Sequence, residues 1–308
     1  MTTPVAIEST SCPSHVFKYV VADRIDVLEN LTIRFTQPSA LNDPFELQPI
    51  FNRFIPYEEL AEVVHPSSPH LLAALTRKYS KSPRKFRRKC TLEQFLQRVK
   101  ESPQALQDVA DEVIPFFENG LQSLVPEVRN MFVEELSKVG ILSFSSEVTN
   151  PLLWAHYADN GKGFVYEFDA SHIFFHSYRF PSDEFFHLRR VRYSNEQATG
   201  HSLTDLDGDY ILCTKAESWG YEAEWRILAP LEQAKRKVFT NGEDIHLFEI
   251  PATALVRVIL GANTDSSLED KIKSILKNRG DLSHVELARI RPNFTSRSMD
   301  VIAVVDSN

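Results

Sequence analysis

The sequence predicts an α+β fold with mixed or antiparallel β-sheets and a helical insertion. Three observations lead to this prediction. Short segments with strand-like alternation occur within residues 16–35. From about residue 56 to residue 138 the apolar residues recur every three or four positions, which is the helical period. After Gly140 the chain returns to short apolar segments separated by turn residues, which indicates a second β-rich part.

The N-terminal part is predicted to contain two strands, at residues 16–20 and 31–35, joined by a helical turn at residues 23–29. A polar loop with the turn sequence Asn42-Asp43-Pro44 follows, in which short polar side chains satisfy backbone groups. This loop either forms a structural turn or lines a cleft.

Helix-end signals punctuate the insertion, which is expected at about residues 56–139. Thr91 with Gln94 matches a capping box, Ser102-Pro103 begins another helix, and Gly140 is expected to end the last one. Residues 1–14 are expected to form a flexible tail. Residues 15–308 are expected to form a single domain that contains the insertion.

The β-rich part contains eight predicted strands, at residues 141–145, 163–169, 186–193, 224–228, 245–250, 255–260, 285–290 and 301–305. A capped amphipathic helix is predicted from Ser266 or Ser267 to Asn278, between the last strands.

The composition is that of a globular protein. The chain has 308 residues, of which 43% are hydrophobic and 25% charged. A net charge of -8 argues against a surface that binds nucleic acid throughout, but not against a local basic patch. The widely spaced Cys12, Cys90 and Cys213 indicate neither a disulfide framework nor a cysteine-rich zinc site. This cysteine pattern fits a reducing cytoplasm best. No membrane segment is expected, since no apolar run reaches about 20 residues.

Residues 218–226 read Ser-Trp-Gly-Tyr-Glu-Ala-Glu-Trp-Arg and set two carboxylates among three aromatic rings. Such carboxylates need a cation, a donor or a ligand to offset lost hydration. On an extended segment Glu222 and Glu224 would share one face, because successive strand residues alternate. They could then divide the labour of catalysis, one binding a hydroxyl and the other accepting a proton. The alternative is an ion pair with Arg226 or Lys215 that locks the end of a strand.

A second polar block follows the pattern strand, short helix, strand over residues 141–169. Asn150-Pro151 begins the helix, and Trp154 and Tyr157 lie on it at a spacing that places their rings over the preceding strand. Ser143 and Ser145 near a helix N-terminus would form a donor-rich pocket for an anion or an amide. The alternative is that the serines lie at a sheet edge and that Trp154 belongs to the core.

A basic run stands out in the acidic chain. Residues 77–89 contain eight Lys or Arg residues, no acidic residue, and the aromatic residues Tyr79 and Phe86. Clusters of this kind attract nucleic-acid phosphates and stack bases. We therefore predict nucleic-acid contacts at Arg84, Lys85, Arg87 and Arg88, and a solvated face is the alternative.

These motifs, in this order, resemble the bacterial family catalogued as domain of unknown function 2971. The resemblance runs from about residue 16 to residue 262. It rests on Phe17-Lys18-Tyr19, residues 35–46, residues 142–145, residues 153–158, Gly163-Phe164, Lys215 and residues 219–226.

The layout is also similar, more distantly, to that of ADP-ribosyltransferases, whose sheets clasp NAD in a cleft. This resemblance implies that NAD is a substrate and assigns roles along the chain. Glu224 would hold the ribose and stabilise an oxocarbenium-like transition state, and Glu222 would orient or deprotonate the acceptor. The residues expected to bind NAD are Lys18 and Tyr19 on the first strand, Ser143 and Ser145 on the nicotinamide side, and Trp154 and Tyr157 around the nicotinamide pocket.

In those enzymes the first strand usually carries Arg or His, so Lys18 and Tyr19 are a departure, and Arg34 or Arg226 is the alternative source of a phosphate-binding cation. A toxin or a phage-defence effector that modifies a nucleic acid or a protein is the expected role.

Two other functions remain open. A Mg²⁺-dependent nuclease would use carboxylates, with Lys215 assisting the chemistry; the candidates are Asp43, Glu46, Glu167, Asp169, Glu222 and Glu224. A non-catalytic interaction domain would use the acidic and aromatic cluster only to lock its fold. No His or Cys at ligand spacing accompanies His156, so no zinc site is expected.

Overall fold

The structure is a computed structural model that describes residues 12–47, 68–102, 104–105, 108, 123–180, 183–195, 208–240 and 242–304. Most of the expected tail at residues 1–14 lies outside the described residues, as do residues 56–67, 103, 106–107 and 109–122 of the expected insertion.

The described strands, in chain order, are β1 (His15–Val20), β2 (Thr32–Phe35), β3 (Val139–Ser145), β4 (Phe164–Asp169), β5 (Arg189–Arg190), β6 (Arg192–Tyr193), β7 (Thr214–Lys215), β8 (Glu224–Pro230), β9 (Arg236–Thr240), β10 (Glu243–Glu249), β11 (Leu255–Leu260), β12 (Glu286–Asn293) and β13 (Ser298–Ala303).

The described α-helices, in chain order, are α1 (Asp26–Asn30), α2 (Pro69–Lys81), α3 (Arg84–Arg87), α4 (Leu92–Glu101), α5 (Val125–Leu136), α6 (Pro151–Tyr157), α7 (Gly208–Leu212) and α8 (Ser266–Asn278). Short 3-10 helices also occur, including one over Glu217–Glu222.

The chain divides into two compact units. The first comprises residues 1–47, 135–195 and 209–308, and the second comprises residues 48–134 and 196–208. The first unit contains the sheets and the second contains helices α2, α3 and α4. Helices and mixed sheets together confirm the predicted α+β class.

The first unit is built on an eight-stranded sheet in the order β13-β12-β11-β4-β1-β3-β8-β5. Neighbouring strands are antiparallel except β11 and β12, which are parallel and are connected through α8. A three-stranded antiparallel sheet has the order β2-β10-β9. A two-stranded parallel sheet pairs β6 with β7.

Both faces of the large sheet are covered by apolar side chains. Leu268 and Ile272 of α8 belong to the largest core cluster, together with Leu142 and Phe144 of β3. Trp154 of α6 belongs to a second cluster, with residues of β1, β4, β11 and β12. Because successive strand residues point to opposite faces, a sheet covered on both faces buries nearly continuous apolar strands. Strand β4 shows this pattern, since five of its six residues are buried.

Most predicted strands of the first unit are confirmed, and two details were wrong. Residues 186–193 do not form one strand, because Phe186 adopts a positive φ of 59° and the pairing is split between β5 and β6. Gly140 does not end a helix: α5 ends at Leu136 and Gly140 already lies in β3. Strands β7 and β9 were not predicted, because β7 is two residues long and β9 is largely exposed.

The second unit has its own apolar cluster, in which Leu71 and Leu75 of α2 pack with Val99 of α4. The predicted capping box is confirmed, since Thr91 and Gln94 each accept a hydrogen bond from the other's backbone N–H. The predicted helix start at Ser102-Pro103 falls partly outside the described residues. None of the described helices is long and apolar enough to cross a bilayer.

Candidate functional site

A cavity of about 240 Å³ lies in the first unit, where β1 and β3 separate. Strand β1 pairs with β4 over its whole length, but it pairs with β3 only between Phe17 and Ser145. The exposed Asn42 lines the cavity, so the cavity reaches the surface there. Its lining residues are Phe17, Lys18, Tyr19, Thr36, Ala40, Leu41, Asn42, Ser143, Phe144, Ser145, Leu153, Tyr157, Lys215, Glu222 and Glu224.

Strands β1 and β3 separate because one edge of β3 has two different partners. At one end Ser145 pairs with β1, and at the other Ile141 exchanges two hydrogen bonds, of 2.8 and 2.9 Å, with Thr36 beyond β2. Alternate residues of an antiparallel strand direct their backbone groups to the same side, so the Ser143 carbonyl faces the same gap. It accepts a hydrogen bond of 2.9 Å from Lys18 Nζ instead of from a strand.

The two carboxylates of the acidic cluster reach the cavity by a route that was not predicted. Glu222 is the last residue of a 3-10 helix and Glu224 is the first residue of β8, so the segment is not extended. Ala223 between them adopts a left-handed conformation with φ of 44°. The turn at Ala223, rather than strand alternation, therefore brings both side chains to the cavity wall.

A buried ion network surrounds these carboxylates. Lys215 Nζ lies 2.7 Å from Glu222 Oε2 and 2.6 Å from Glu224 Oε2. Arg226 Nε donates to Glu224 Oε1 at 2.6 Å, and the same guanidinium contacts Glu46. These five side chains are at most 6% exposed. We call Glu46, Lys215, Glu222, Glu224 and Arg226 the ion network.

The charges of the network stabilise one another against the cost of burial. Burial by itself would raise the pKa of Glu224, but Arg226 and Lys215 outweigh it and hold this pKa at about 2. Burial would likewise lower the pKa of Lys215, yet Glu224, Glu46 and Glu222 leave it above that of an ordinary lysine. For Glu46, burial raises the pKa and the two cations offset only part of the effect. Glu224 is therefore a permanent anion at neutral pH.

Cationic side chains bind both oxygens of Glu224. This matches the alternative reading of the sequence, in which an ion pair with Arg226 or Lys215 locks the end of a strand. Oε1 accepts from Arg226 Nε, and Oε2 accepts from Arg226 Nη2 at 3.1 Å and lies 2.6 Å from Lys215 Nζ. Arg226 in turn donates to the Leu212 carbonyl at 2.8 Å. Glu224 thus anchors two cations.

Glu222 has a different environment, because one of its oxygens faces Tyr157. The Tyr157 hydroxyl donates a short hydrogen bond to Glu222 Oε1 and accepts one of 2.8 Å from Asn42 Nδ2. Burial, together with this bond and the charge of Glu222, raises the pKa of Tyr157. A chain of hydrogen bonds therefore runs from the exposed Asn42 through Tyr157 to Glu222 and Lys215.

The predicted serines lie on the cavity wall, where Ser145 also has a structural role. Its hydroxyl donates to the Glu222 carbonyl at 2.6 Å and accepts from the Glu147 N–H at 3.0 Å. These bonds hold the turn before β8 against β3. Ser143 lines the cavity beside Lys18.

Trp154 does not line the cavity. It is buried in the second core cluster, where its ring meets Tyr19 edge-on at 5.2 Å and its Nε1 donates to the Val148 carbonyl at 2.7 Å. Tyr19 lines the cavity, but its hydroxyl is already bound to the Glu147 carbonyl at 2.8 Å. The structure therefore gives Trp154 a packing role.

Lys18 is the cation of the cavity wall that lies outside the ion network. Desolvation lowers its pKa from 10.5 to about 8, although the charge of Glu224 acts in the opposite direction. The other two cations considered for phosphate binding are engaged elsewhere. Arg226 belongs to the ion network, and Arg34 is paired with Glu243 at 2.8 Å.

The predicted nucleic-acid residues lie in the other unit. Arg84, Lys85, Arg87 and Arg88 are exposed on and immediately after α3. The carboxylates considered for a nuclease are dispersed, because Glu167 and Asp169 lie on β4, away from the cavity lining. Within the described residues, no group of three or more His, Cys, Asp or Glu side chains is arranged to hold a metal ion.

Sequence reasoning missed the roles of Glu46 and Tyr193. Glu46 is a buried member of the ion network. It lies between Phe45 and Leu47, and a charged residue between apolar residues is the same kind of pattern that drew attention to Glu222. The Tyr193 hydroxyl accepts the Glu224 backbone N–H at 2.8 Å, and burial raises its pKa to about 12. No sequence pattern pointed to Tyr193.

Fold and site together define an α+β protein with a polar, ion-paired cavity at a split in its main sheet. A family model described as "Protein of unknown function (DUF2971)" matches residues 153–227. This match is shorter than the resemblance expected from the motifs, and it includes Tyr157, Lys215 and the acidic cluster but not β1 or β3. No curated protein and no solved structure matches the chain.

Arg226→Met should destabilise the protein by about 3–5 kcal/mol, because it leaves Glu224 and Glu46 buried without the guanidinium. The matched control is Lys235→Met, which removes an exposed ion pair with Glu249 and should cost about 0–1 kcal/mol. Urea unfolding at pH 7 measures both. Equal midpoints for the two variants would show that the network does not stabilise the fold.

The pKa of Lys18 predicts a pH-dependent stability. Between about pH 8 and pH 10.5 the unfolded chain binds this proton more tightly than the folded protein, so the Lys18 contribution to stability rises with pH in that window. Lys18→Met lacks this slope, and its free energy of unfolding relative to wild type should fall as the pH rises from 8 to 10.5. Lys235→Met, at an exposed position, should show no such change. A Lys18→Met difference that is constant with pH contradicts the lowered pKa of Lys18.

Proposed function

We propose that this chain is an NAD-dependent ADP-ribosyltransferase-like enzyme that acts in the cavity between β1 and β3. One observation supports the proposal above all. Seven of the eight side chains that the sequence suggested for binding or acting on NAD line this one cavity, although they come from four separate segments of the chain. Trp154 is the eighth and lies in the core.

The size of the cavity fits part of the substrate. Pockets for drug-sized ligands measure about 300–1,000 Å³, and this cavity has about 240 Å³. It suits a ring and an attached sugar rather than a whole dinucleotide. In this proposal the nicotinamide ribose enters the cavity, the pyrophosphate lies within reach of Lys18, and the adenosine remains towards the mouth near Asn42.

The reaction needs a negative charge beside the breaking bond. When the bond between the nicotinamide nitrogen and the ribose C1′ breaks, its electron pair leaves with neutral nicotinamide and positive charge develops on the sugar. A fixed carboxylate stabilises that charge. The acceptor oxygen then bonds to C1′ and releases its proton, which a carboxylate can accept.

The geometry favours Glu222 over Glu224 as the residue that faces the substrate. Both oxygens of Glu224 are bound by Arg226 and Lys215. Glu222 is held by Lys215 on one oxygen and by Tyr157, a cavity-lining side chain, on the other. In this assignment Glu224 positions Lys215, and Glu222 carries the chemistry.

Lys18 supplies the positive charge that the anionic part of NAD requires. It lies on the cavity wall and is bound to a backbone carbonyl rather than to a carboxylate. A charged ligand oxygen can therefore approach it without breaking an ion pair. The phosphate-binding role that Arg or His has in the enzymes of the resemblance falls to Lys18 in this proposal.

A non-catalytic interaction domain is the second candidate. The observation in its favour is that Glu224 is fully engaged in the ion network, as a structural lock requires. The two candidates differ in what the cavity does, because only an enzyme needs Glu222 charged beside a space that a substrate can enter.

Glu222→Gln should lower nicotinamide release from NAD by about 100-fold or more, because it removes the charge and keeps the shape. Release is measured by chromatography, with water and with a mixture of nucleic acid and protein as acceptors. Glu249→Gln, which alters an exposed ion pair, is the control and should keep the wild-type rate.

Tyr157→Phe is a second variant, for the case that Glu222→Gln does not fold. It keeps the ring and removes only the hydroxyl that binds Glu222. It should also slow release while its far-ultraviolet circular dichroism and melting curve stay close to wild type. The enzyme proposal is wrong if the wild-type protein neither binds NAD nor releases nicotinamide, or if Glu222→Gln keeps the full rate.

A further inference from the structure

The second unit carries a strongly charged surface that the cavity chemistry does not use. Eight basic side chains lie within thirteen residues of α2, α3 and the segment before α4. All of them are exposed. We call this set the basic surface; it comprises Arg77, Lys78, Lys81, Arg84, Lys85, Arg87, Arg88 and Lys89.

Contacts with α2 and α4 hold the backbone of the basic surface in place. Cys90 directly after it is buried, and the Cys90 carbonyl accepts a hydrogen bond of 2.9 Å from the Tyr79 hydroxyl of α2. The capping box of α4 begins at the next residue, Thr91. Helix α3 is therefore fixed at its C-terminal end to both α2 and α4, so its side chains project from a defined backbone.

Three arginines of α3 and its end share one side. Arg84, Arg87 and Arg88 are spaced i, i+3 and i+4, which places them next to one another on a helical turn. In the part of the chain that the structure describes, none of the three forms an ion pair with a carboxylate. Adjacent unpaired guanidinium groups repel one another, and an anionic partner relieves that repulsion.

The same short helix carries an aromatic ring that is partly open to solvent. Phe86 is 40% exposed, and its buried side packs against Tyr79 and Phe95 at centroid distances of 6.5 and 6.2 Å. A ring fixed on one side and open on the other offers a platform for a base. Guanidinium groups bind phosphate oxygens in a bidentate manner.

We propose that the basic surface binds single-stranded nucleic acid, with Arg84, Arg87 and Arg88 on the phosphates and Phe86 against a base. The arginines and the exposed ring together indicate the class of partner. Positive charge alone would suit any polyanion, and an exposed ring on the same helix suits a polymer that alternates phosphates with planar bases. Binding here does not depend on the reaction proposed for the cavity.

The test is fluorescence anisotropy of the full chain with a labelled 20-nucleotide single strand from 50 to 200 mM salt. The variant Arg84→Gln/Arg87→Gln/Arg88→Gln should bind about tenfold or more weakly. Its plot of log affinity against log salt should be less steep by about 2, since each phosphate contact contributes about 0.7 for single strands. The matched control is Lys271→Gln/Lys273→Gln/Lys277→Gln on α8, which removes the same charge and should bind like wild type.

Phe86→Leu separates base stacking from simple charge attraction. It should weaken oligonucleotide binding about fivefold or more and leave heparin binding unchanged. Circular dichroism establishes that each variant is folded. Four results would each overturn the proposal: no oligonucleotide binding by wild type at 50 mM salt, equal losses in the arginine variant and the α8 control, no effect of Phe86→Leu, or capture by phosphatidylserine vesicles without oligonucleotide binding.

Discussion

The buried ion network is the interaction on which the site depends. Three carboxylates and two cations, from the loop before residue 47, β7, the 3-10 helix after it and β8, are almost wholly removed from solvent. Removing either cation leaves carboxylates uncompensated in a medium of low polarity, which costs several kcal/mol. The network thereby fixes four segments of the chain relative to one another, and these segments form one wall of the cavity.

The opposite wall results from a break in regular pairing. Strand β3 has two partners along one edge, β1 at Ser145 and Thr36 at Ile141, and Lys18 satisfies the carbonyl between them. A left-handed Ala223 adds local strain of about 1–2 kcal/mol. Incomplete pairing, a desolvated lysine and a strained turn all lie around one small space. Energetic costs of this kind, from unpaired backbone, desolvation and strain, are found most often at binding and catalytic sites.

Sequence patterns predicted the fold class, most strands of the first unit and the residues that converge on the cavity. They succeeded because alternation and capping are local properties, as the strand at Phe164–Asp169 and the capping box at Thr91 show. They failed where tertiary contacts determine the backbone conformation or the surroundings of a residue. The left-handed Ala223 cannot be read from a Glu-Ala-Glu sequence, the role of Tyr193 depends on its hydroxyl meeting a backbone 31 residues away, and Trp154 lies in the core because α6 packs on β1.

The most direct test of this account is a ¹³C NMR titration of the glutamate side-chain carboxyl carbons, with Glu222 and Glu224 assigned by mutation. We expect Glu224 to stay ionised down to about pH 2, because Arg226 and Lys215 stabilise its charge. We also expect NAD to shift the Glu222 resonance. A Glu224 that titrates near the ordinary glutamate value of about 4.3, in a protein that is still folded at that pH, would contradict the network and the site that depends on it.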